Sequence, residues 1–222
     1  MSYAHIQKNV RQILASLPPQ VSLVAAGKTR SPEELQAVIE AGVRIIGHNY
    51  VQEAEHSVEA LGRDAIRWHC IGHLQRNKVK RAVQLFDEIE TVDSLRLAQA
   101  LDRACAEAGK QMSILIEVNS GQEEAKTGIM PEDVMELAQA LSNFENLRVE
   151  GLMTLGQFSA DPDVCRPCFR KTRALFDSLA TARIPGVAMK HLSMGMSDSY
   201  QVAIEEGATR VRIGTRLFGP RQ

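Results

Sequence analysis

The sequence predicts a closed (β/α)8 (TIM) barrel on three observations. There are eight short apolar, β-branched runs; longer amphipathic segments alternate with them; and no linker or low-complexity stretch interrupts the series. An open doubly wound sheet would show the same alternation, but a count of eight at regular spacing favours closure. The 222 residues fall within the usual range for one such barrel, so a single domain over residues 1–222 is expected.

Ile6, Val10, Ile13, Leu14 and Leu17 share one helical stripe that Pro18-Pro19 stops, which predicts an N-terminal helix over residues 1–17 packed on the barrel. The strand candidates are Val21–Gly27, Arg44–Asn49, Arg67–Gly72, Glu88–Val92, Ser113–Asn119, Arg148–Thr154, His191–Met194 and Arg210–Ile213. Between them, helical patterns cover Pro32–Ala41, Val51–Leu61, Ser94–Ala108, Pro131–Leu141 and Phe169–Ala182. Nine residues follow the last strand, so no eighth helix is expected there. The N-terminal helix is expected to fill that gap in the outer ring.

Composition narrows the class. With 44% hydrophobic residues, 24% charged residues and a net charge of −1, the chain has an ordinary soluble composition and is not a general nucleic-acid binder. Arg166, Arg170, Lys171 and Arg173 read as a solvated helix face. No run of eighteen apolar residues and no apolar leader occurs, so no membrane association and a cytoplasmic location are expected. Cys70, Cys105, Cys165 and Cys168 are then expected to be reduced. Cys165-Arg166-Pro167-Cys168 has the spacing of a redox pair or half a zinc site, but nothing in the sequence completes a metal-ligand set, so no metal is expected. Gly27-Lys28-Thr29 ends like a phosphate-binding P-loop, yet the required earlier glycine is Ser22 and the loop reads as strand. A nucleotide triphosphatase is excluded.

Barrel chemistry gathers at the carboxyl ends of the strands, with phosphate often held by the loops after strands seven and eight. Lys28 stands at the end of the first strand, where a partly desolvated amine can form a Schiff base; an ordinary solvated loop lysine is the competing reading. Ser193, Met194 and Gly195 follow strand seven, and Gly214 and Thr215 follow strand eight, placing hydroxyls and close-approach glycines at both loops. Either glycine could equally be a turn residue. Strand alternation points Lys28, Asn49 and Arg212 toward the axis and His48 away from it. An inward arginine needs a polar partner, either a ligand nitrogen or a buried carboxylate. Lysine, phosphate cup and arginine in one mouth fit pyridoxal 5'-phosphate. His69 and His73, roughly 13 Å apart on an extended strand, are not expected to share a metal. Lys126 has acidic neighbours and reads as an ion-paired loop residue.

The motifs Gly27-Lys28-Thr29, Gly47-His48-Asn49-Tyr50, Trp68-His69-Cys70-Ile71-Gly72-His73-Leu74-Gln75-Arg76-Asn77-Lys78, Gly151-Leu152-Met153, Leu192-Ser193-Met194-Gly195-Met196-Ser197 and Val211-Arg212-Ile213-Gly214-Thr215 occur in order over almost the whole chain. As a set they resemble the pyridoxal phosphate homeostasis proteins (YggS-like, PROSC-like). The resemblance implies a barrel like the N-terminal domain of alanine racemase, with pyridoxal phosphate on Lys28. It further implies phosphate contacts from Ser193, Met194, Gly195, Gly214 and Thr215, a ring contact from Arg212, and pocket lining by Asn49 and Met153. This chain departs from the family twice: His48 stands where glutamate is usual, and Gly27 where serine is usual.

Racemases on this barrel take a second base from another domain, for which this sequence has no room. An arginine facing the pyridine nitrogen also keeps it unprotonated and weakens the electron sink. A non-catalytic carrier is therefore expected. It would store and deliver the vitamin B6 cofactor, with indirect effects on amino-acid and keto-acid balance and transient contacts with apo-enzymes, as a monomer. The alternatives are a pyridoxal-phosphate-dependent amino-acid racemase and a Schiff-base aldolase.

Overall fold

A computed structural model of the chain describes residues 3–123, 126–156, 159 and 161–220. Eight parallel strands close in sequence order into a barrel. They are β1 (Ser22–Ala26), β2 (Ile45–His48), β3 (Arg67–Cys70), β4 (Glu88–Val92), β5 (Met112–Glu117), β6 (Leu147–Met153), β7 (Val187–Ser193) and β8 (Arg210–Ile213). Pairing of β8 with β1, Ser22 opposite Arg210 through Ala25 opposite Ile213, completes the ring.

The outer ring holds α1 (Ala4–Ser16), α2 (Pro32–Glu40), α3 (Val51–Leu61), α4 (Val79–Leu85), α5 (Leu95–Glu107), α6 (Val134–Leu141), α7 (Pro162–Ala182), α8 (Tyr200–Glu205) and α9 (Thr215–Phe218). Local chemistry starts several of them. Ser31 and Glu34 form a reciprocal capping box at α2, with Pro32 in the first turn. Ser94 accepts from the Leu97 N–H at α5. None of these helices is long and apolar enough to cross a membrane.

Two expectations are corrected. A one-turn helix, α9, does follow β8, and α1 packs beside it: Asn9 Nδ2 donates to the Leu217 carbonyl at 3.1 Å while Ile6, Val10 and Ile13 are buried. Residues 1 and 2 of the expected N-terminal helix, and 221 and 222 of the expected domain, lie outside the described residues. Helix α7 begins at Pro162 rather than Phe169, and Pro167 lies inside it, one turn in. Cys165 and Cys168 therefore lie on one helix, both buried and, like Cys70 and Cys105, free thiols.

The sheet divides the interior into two environments. Outward positions such as Leu23, Ile46, Trp68, Ile89, Ile114, Leu192 and Val211 build the large core against the helices. Inside the barrel, the β1–β3 side is apolar, with Val24, Ile45 and Ile71 clustered beneath Ala26. The β4–β8 side is polar and charged: Glu88, Glu90, Arg210, Arg212, Ser193 and, from β3, His69 are all buried. One irregularity matters for this side. Gly151 has φ +155°, and a Cβ there would lie 1.8 Å from the His191 carbonyl oxygen. Only glycine allows β6 to shift register against β7 at that point.

Candidate functional site

Lys28 sits in the turn that leaves β1, directly after Gly27, whose N–H donates to the Gly47 carbonyl at 2.8 Å. The side chain is half-buried at the mouth, with Nζ 5.2 Å from the centre of the exposed Tyr50 ring on the β2–α3 loop. Asn49, also half-buried, lines a cavity of 390 Å³ beside the mouth together with Tyr50, His73, Gln75 and Lys78. His73 is exposed there, whereas His69 is enclosed in the barrel, so the two histidines are separated as expected.

On the opposite side of β1, the loops after β7 and β8 meet at Ser197. Its Oγ accepts from the N–H groups of Gly214 and Arg216, both at 3.4 Å. Gly195 is held at φ +91°, where a Cβ would approach Ala203 Cβ to 2.5 Å and Tyr200 Cα to 2.9 Å. The loop can therefore turn tightly under α8. Thr215 is exposed at the start of α9.

Two residues expected at the phosphate have protein partners of their own. Met194 packs outward in the core, and its N–H donates to the Arg210 carbonyl at 3.1 Å. Ser193 is fully buried on the axis, and its hydroxyl lies 2.6 Å from both Glu90 Oε2 and Arg212. That hydroxyl is committed inside the barrel. Met153 ends β6 opposite Ser193 in register and is buried outside the helix-facing core, consistent with an inward position.

Arg212 points inward and is bound by the Ser193 hydroxyl and the Thr154 carbonyl, the latter at 2.7 Å. Burial lowers its affinity for the proton, opposed by the attraction of Glu90 and Glu117. Arg210, two residues earlier, differs: burial works against its charge too, but direct bonds to Glu90, at 2.9 Å, and to Glu88 raise its pKa. Burial likewise opposes the charge on Glu90, yet Arg210 and His69 outweigh it and hold Glu90 well below the usual carboxylate range. His69, Glu88 and Glu90 lie close enough together to hold a metal, but the Arg210 guanidinium supplies the positive charge between the two carboxylates.

Sequence reading misses this network, and it misses Glu117 at the end of β5. Glu117 accepts from the Thr127 hydroxyl at 2.7 Å, has one buried oxygen without a partner among the described residues, and is pushed toward its neutral form by burial. The signal is present in the alternation Glu88-Ile89-Glu90 on β4 and Arg210-Val211-Arg212 on β8, which places opposite charges on the inward faces of two strands. Lys126 is ion-paired with Glu123 at 2.6 Å and donates to the Gly156 carbonyl.

The two departures from the resembling family touch one another. His48 is buried behind β2, stacked on Trp68 at 6.0 Å between ring centres, and a Cβ on Gly27 would lie 3.1 Å from His48 Cε1. Glycine before Lys28 thus makes room for the imidazole. Burial lowers the His48 pKa to about 4, so its 3.8 Å approach to Glu53 is not an ion pair at neutral pH.

Residues 1–222 match the family model "Alanine racemase, N-terminal domain". The pyridoxal phosphate homeostasis protein of Aquifex aeolicus is 43% identical over 200 residues, covering 90% of this chain and 87% of that protein. That of Pasteurella multocida is 34% identical over 223 residues, covering 98% and 95%. Among solved structures, PipY of Synechococcus elongatus without pyridoxal phosphate superposes with a TM-score of 0.91 at 33% identity, covering 96% of this chain and all of that one. PipY with pyridoxal phosphate bound gives 0.89 at 32% identity, with the same coverage. Alanine racemase of Clostridium difficile shares the fold at a TM-score of 0.81 and 17% identity, and this chain covers 56% of it.

The fold is thus the alanine racemase N-terminal barrel, with a lysine at the mouth and an inward arginine on its last strand. Within that class, the chain belongs to the pyridoxal phosphate homeostasis protein family.

Proposed function

We propose that the protein binds pyridoxal 5'-phosphate at the barrel mouth through Lys28 and serves cofactor homeostasis, by storage and delivery. The observation that carries this reading is the buried Arg212 guanidinium, held among the described residues by a hydroxyl and a carbonyl, in the same mouth as Lys28 and the Ser197–Gly214 loop junction. The donor set suits the cofactor: an amine for the aldehyde, a guanidinium for the ring nitrogen, and backbone N–H groups with small residues for the phosphate. PipY, a relative solved with pyridoxal phosphate bound, supports the same ligand.

When bound, pyridoxal phosphate supplies an aldehyde that forms a Schiff base with an amine, and an electron-withdrawing ring. Lys28 provides the amine, and Tyr50 covers its outer side. Arg212 is a donor-only group and keeps the ring nitrogen unprotonated. Gly195, Ser197, Gly214 and Thr215 hold the phosphate, while Asn49 and Met153 line the pocket. In this reading the chain is one domain and works as a cytoplasmic monomer that hands cofactor to apo-enzymes in transient contacts and turns over no substrate.

Adding pyridoxal phosphate to the purified protein is expected to produce a visible absorption band. Incubation with L-alanine is expected to leave the alanine enantiomerically unchanged by chiral chromatography. A colourless protein would remove the ligand assignment, and steady D-alanine formation would replace the carrier with a racemase.

A further inference from the structure

Ser193 connects the two inward arginines in an unequal way. An arginine only donates hydrogen bonds, so at 2.6 Å Ser193 Oγ accepts from Arg212. A serine hydroxyl has one proton, and it goes to Glu90 Oε2, also 2.6 Å away. The other oxygen of Glu90 receives Arg210 at 2.9 Å and His69 Nδ1 at 2.8 Å. Every proton in this chain has a fixed direction, from Arg210 and His69 on one side and from Arg212 through Ser193 on the other, all toward Glu90.

Arg210 is bonded directly to two carboxylates, Glu88 and Glu90. Arg212 has a hydroxyl between it and Glu90, and a carbonyl, Thr154, as its second partner. A direct carboxylate would neutralise the guanidinium; a hydroxyl spacer fixes its position while leaving its charge facing the mouth. We propose that Glu90, acting through Ser193, is a positioning residue for Arg212 and sets the charge that Arg212 presents to the pyridine nitrogen of the bound cofactor. The proposal rests on the pyridoxal phosphate reading above. The charged groups around the relay are Glu88 on β4, His69 on β3, Arg210 on β8 and Glu117 on β5, and none of them bonds Arg212 directly among the described residues.

The substitution Glu90→Gln tests it. A glutamine cannot satisfy both ends: with its oxygen toward Ser193, its N–H group meets the donors of Arg210 and His69, and in the other orientation the Ser193 proton has no acceptor. In the protein loaded with pyridoxal phosphate, the pH midpoint of the visible band is expected to fall by about half a unit or more, because an Arg212 charge no longer compensated through Ser193 faces the ring and disfavours the protonated form of the band. The Kd for pyridoxal phosphate is expected to rise about 10-fold. In an Arg212→Gln background, Glu90→Gln is expected to add no further shift, as a relay acting through Arg212 requires.

An unchanged midpoint in Glu90→Gln with only a lower melting temperature would overturn the relay and leave a purely structural network. A further shift persisting without Arg212 would overturn it as well. Should Glu90→Gln fail to fold, Ser193→Ala breaks the same chain and must lower the midpoint in the same direction. A wild-type protein with no visible band would overturn the underlying ligand reading and the relay with it, whereas a normal wild-type band with unshifted variants overturns the relay alone.

Discussion

At the scale of single residues, the site is a question of where side chains find partners. Arg212 is legible from the sequence because strand parity needs only neighbouring residues, and it falls on the axial side. The partners of Ser193 and Met194 are not legible in this way, because a residue at the end of a strand can spend its polar groups in the ladder or on the axis. Only the register with β8 decides that. Glu90 is hidden for a related reason: a carboxylate on a strand reads as exposed until the arginine that balances it, more than a hundred residues away, is brought beside it.

His48 gives a residue-scale prediction. Its folded pKa, about 4, lies below the ordinary value of 6.5, so between these pH values the unfolded chain binds more protons than the folded one. Stability therefore rises with pH through that window, is complete above it, and is lost as pH falls toward 4. The loss is on the order of 3 kcal/mol. His48→Phe, which keeps a ring against Trp68, is expected to flatten this slope relative to wild type in urea denaturation at pH 4.5 and pH 7. An equally steep slope in the variant would assign the acid sensitivity elsewhere.

At the scale of elements, strands are easier to read than helices. A strand buried on both faces is a continuous apolar run, which survives in the sequence whatever surrounds it. Helices α4, α8 and α9 span seven, six and four residues, too short for a 3.6-residue period to declare itself. The N-terminal helix is legible because its stripe spans several turns, and in the folded chain that stripe fills the ring between α2 and α9. Ile6→Ala is expected to cost about 2–5 kcal/mol of folding stability, measured as a lower urea midpoint. A cost below about 1 kcal/mol would mean that α1 is a loose appendage rather than a member of the ring.

For the molecule as a whole, the alanine racemase barrel carries two interiors in one sheet, an apolar half under β1–β3 and a charged half under β4–β8. The charged half costs desolvation, and Glu88 and Glu90 persist in it because each meets an arginine or a histidine. The mouth joins the halves: Lys28 rises from the apolar side and Arg212 from the charged one. In the proposed function, a flat aromatic cofactor with an aldehyde and a ring nitrogen would span that arrangement. The most direct measurement is borohydride reduction of the protein incubated with pyridoxal phosphate, followed by peptide mass spectrometry. The reduced cofactor is expected on Lys28, with no label at that peptide and no visible band in Lys28→Ala. Label on a different lysine, or an undiminished band in Lys28→Ala, would contradict the assignment of Lys28 as the cofactor-bearing residue.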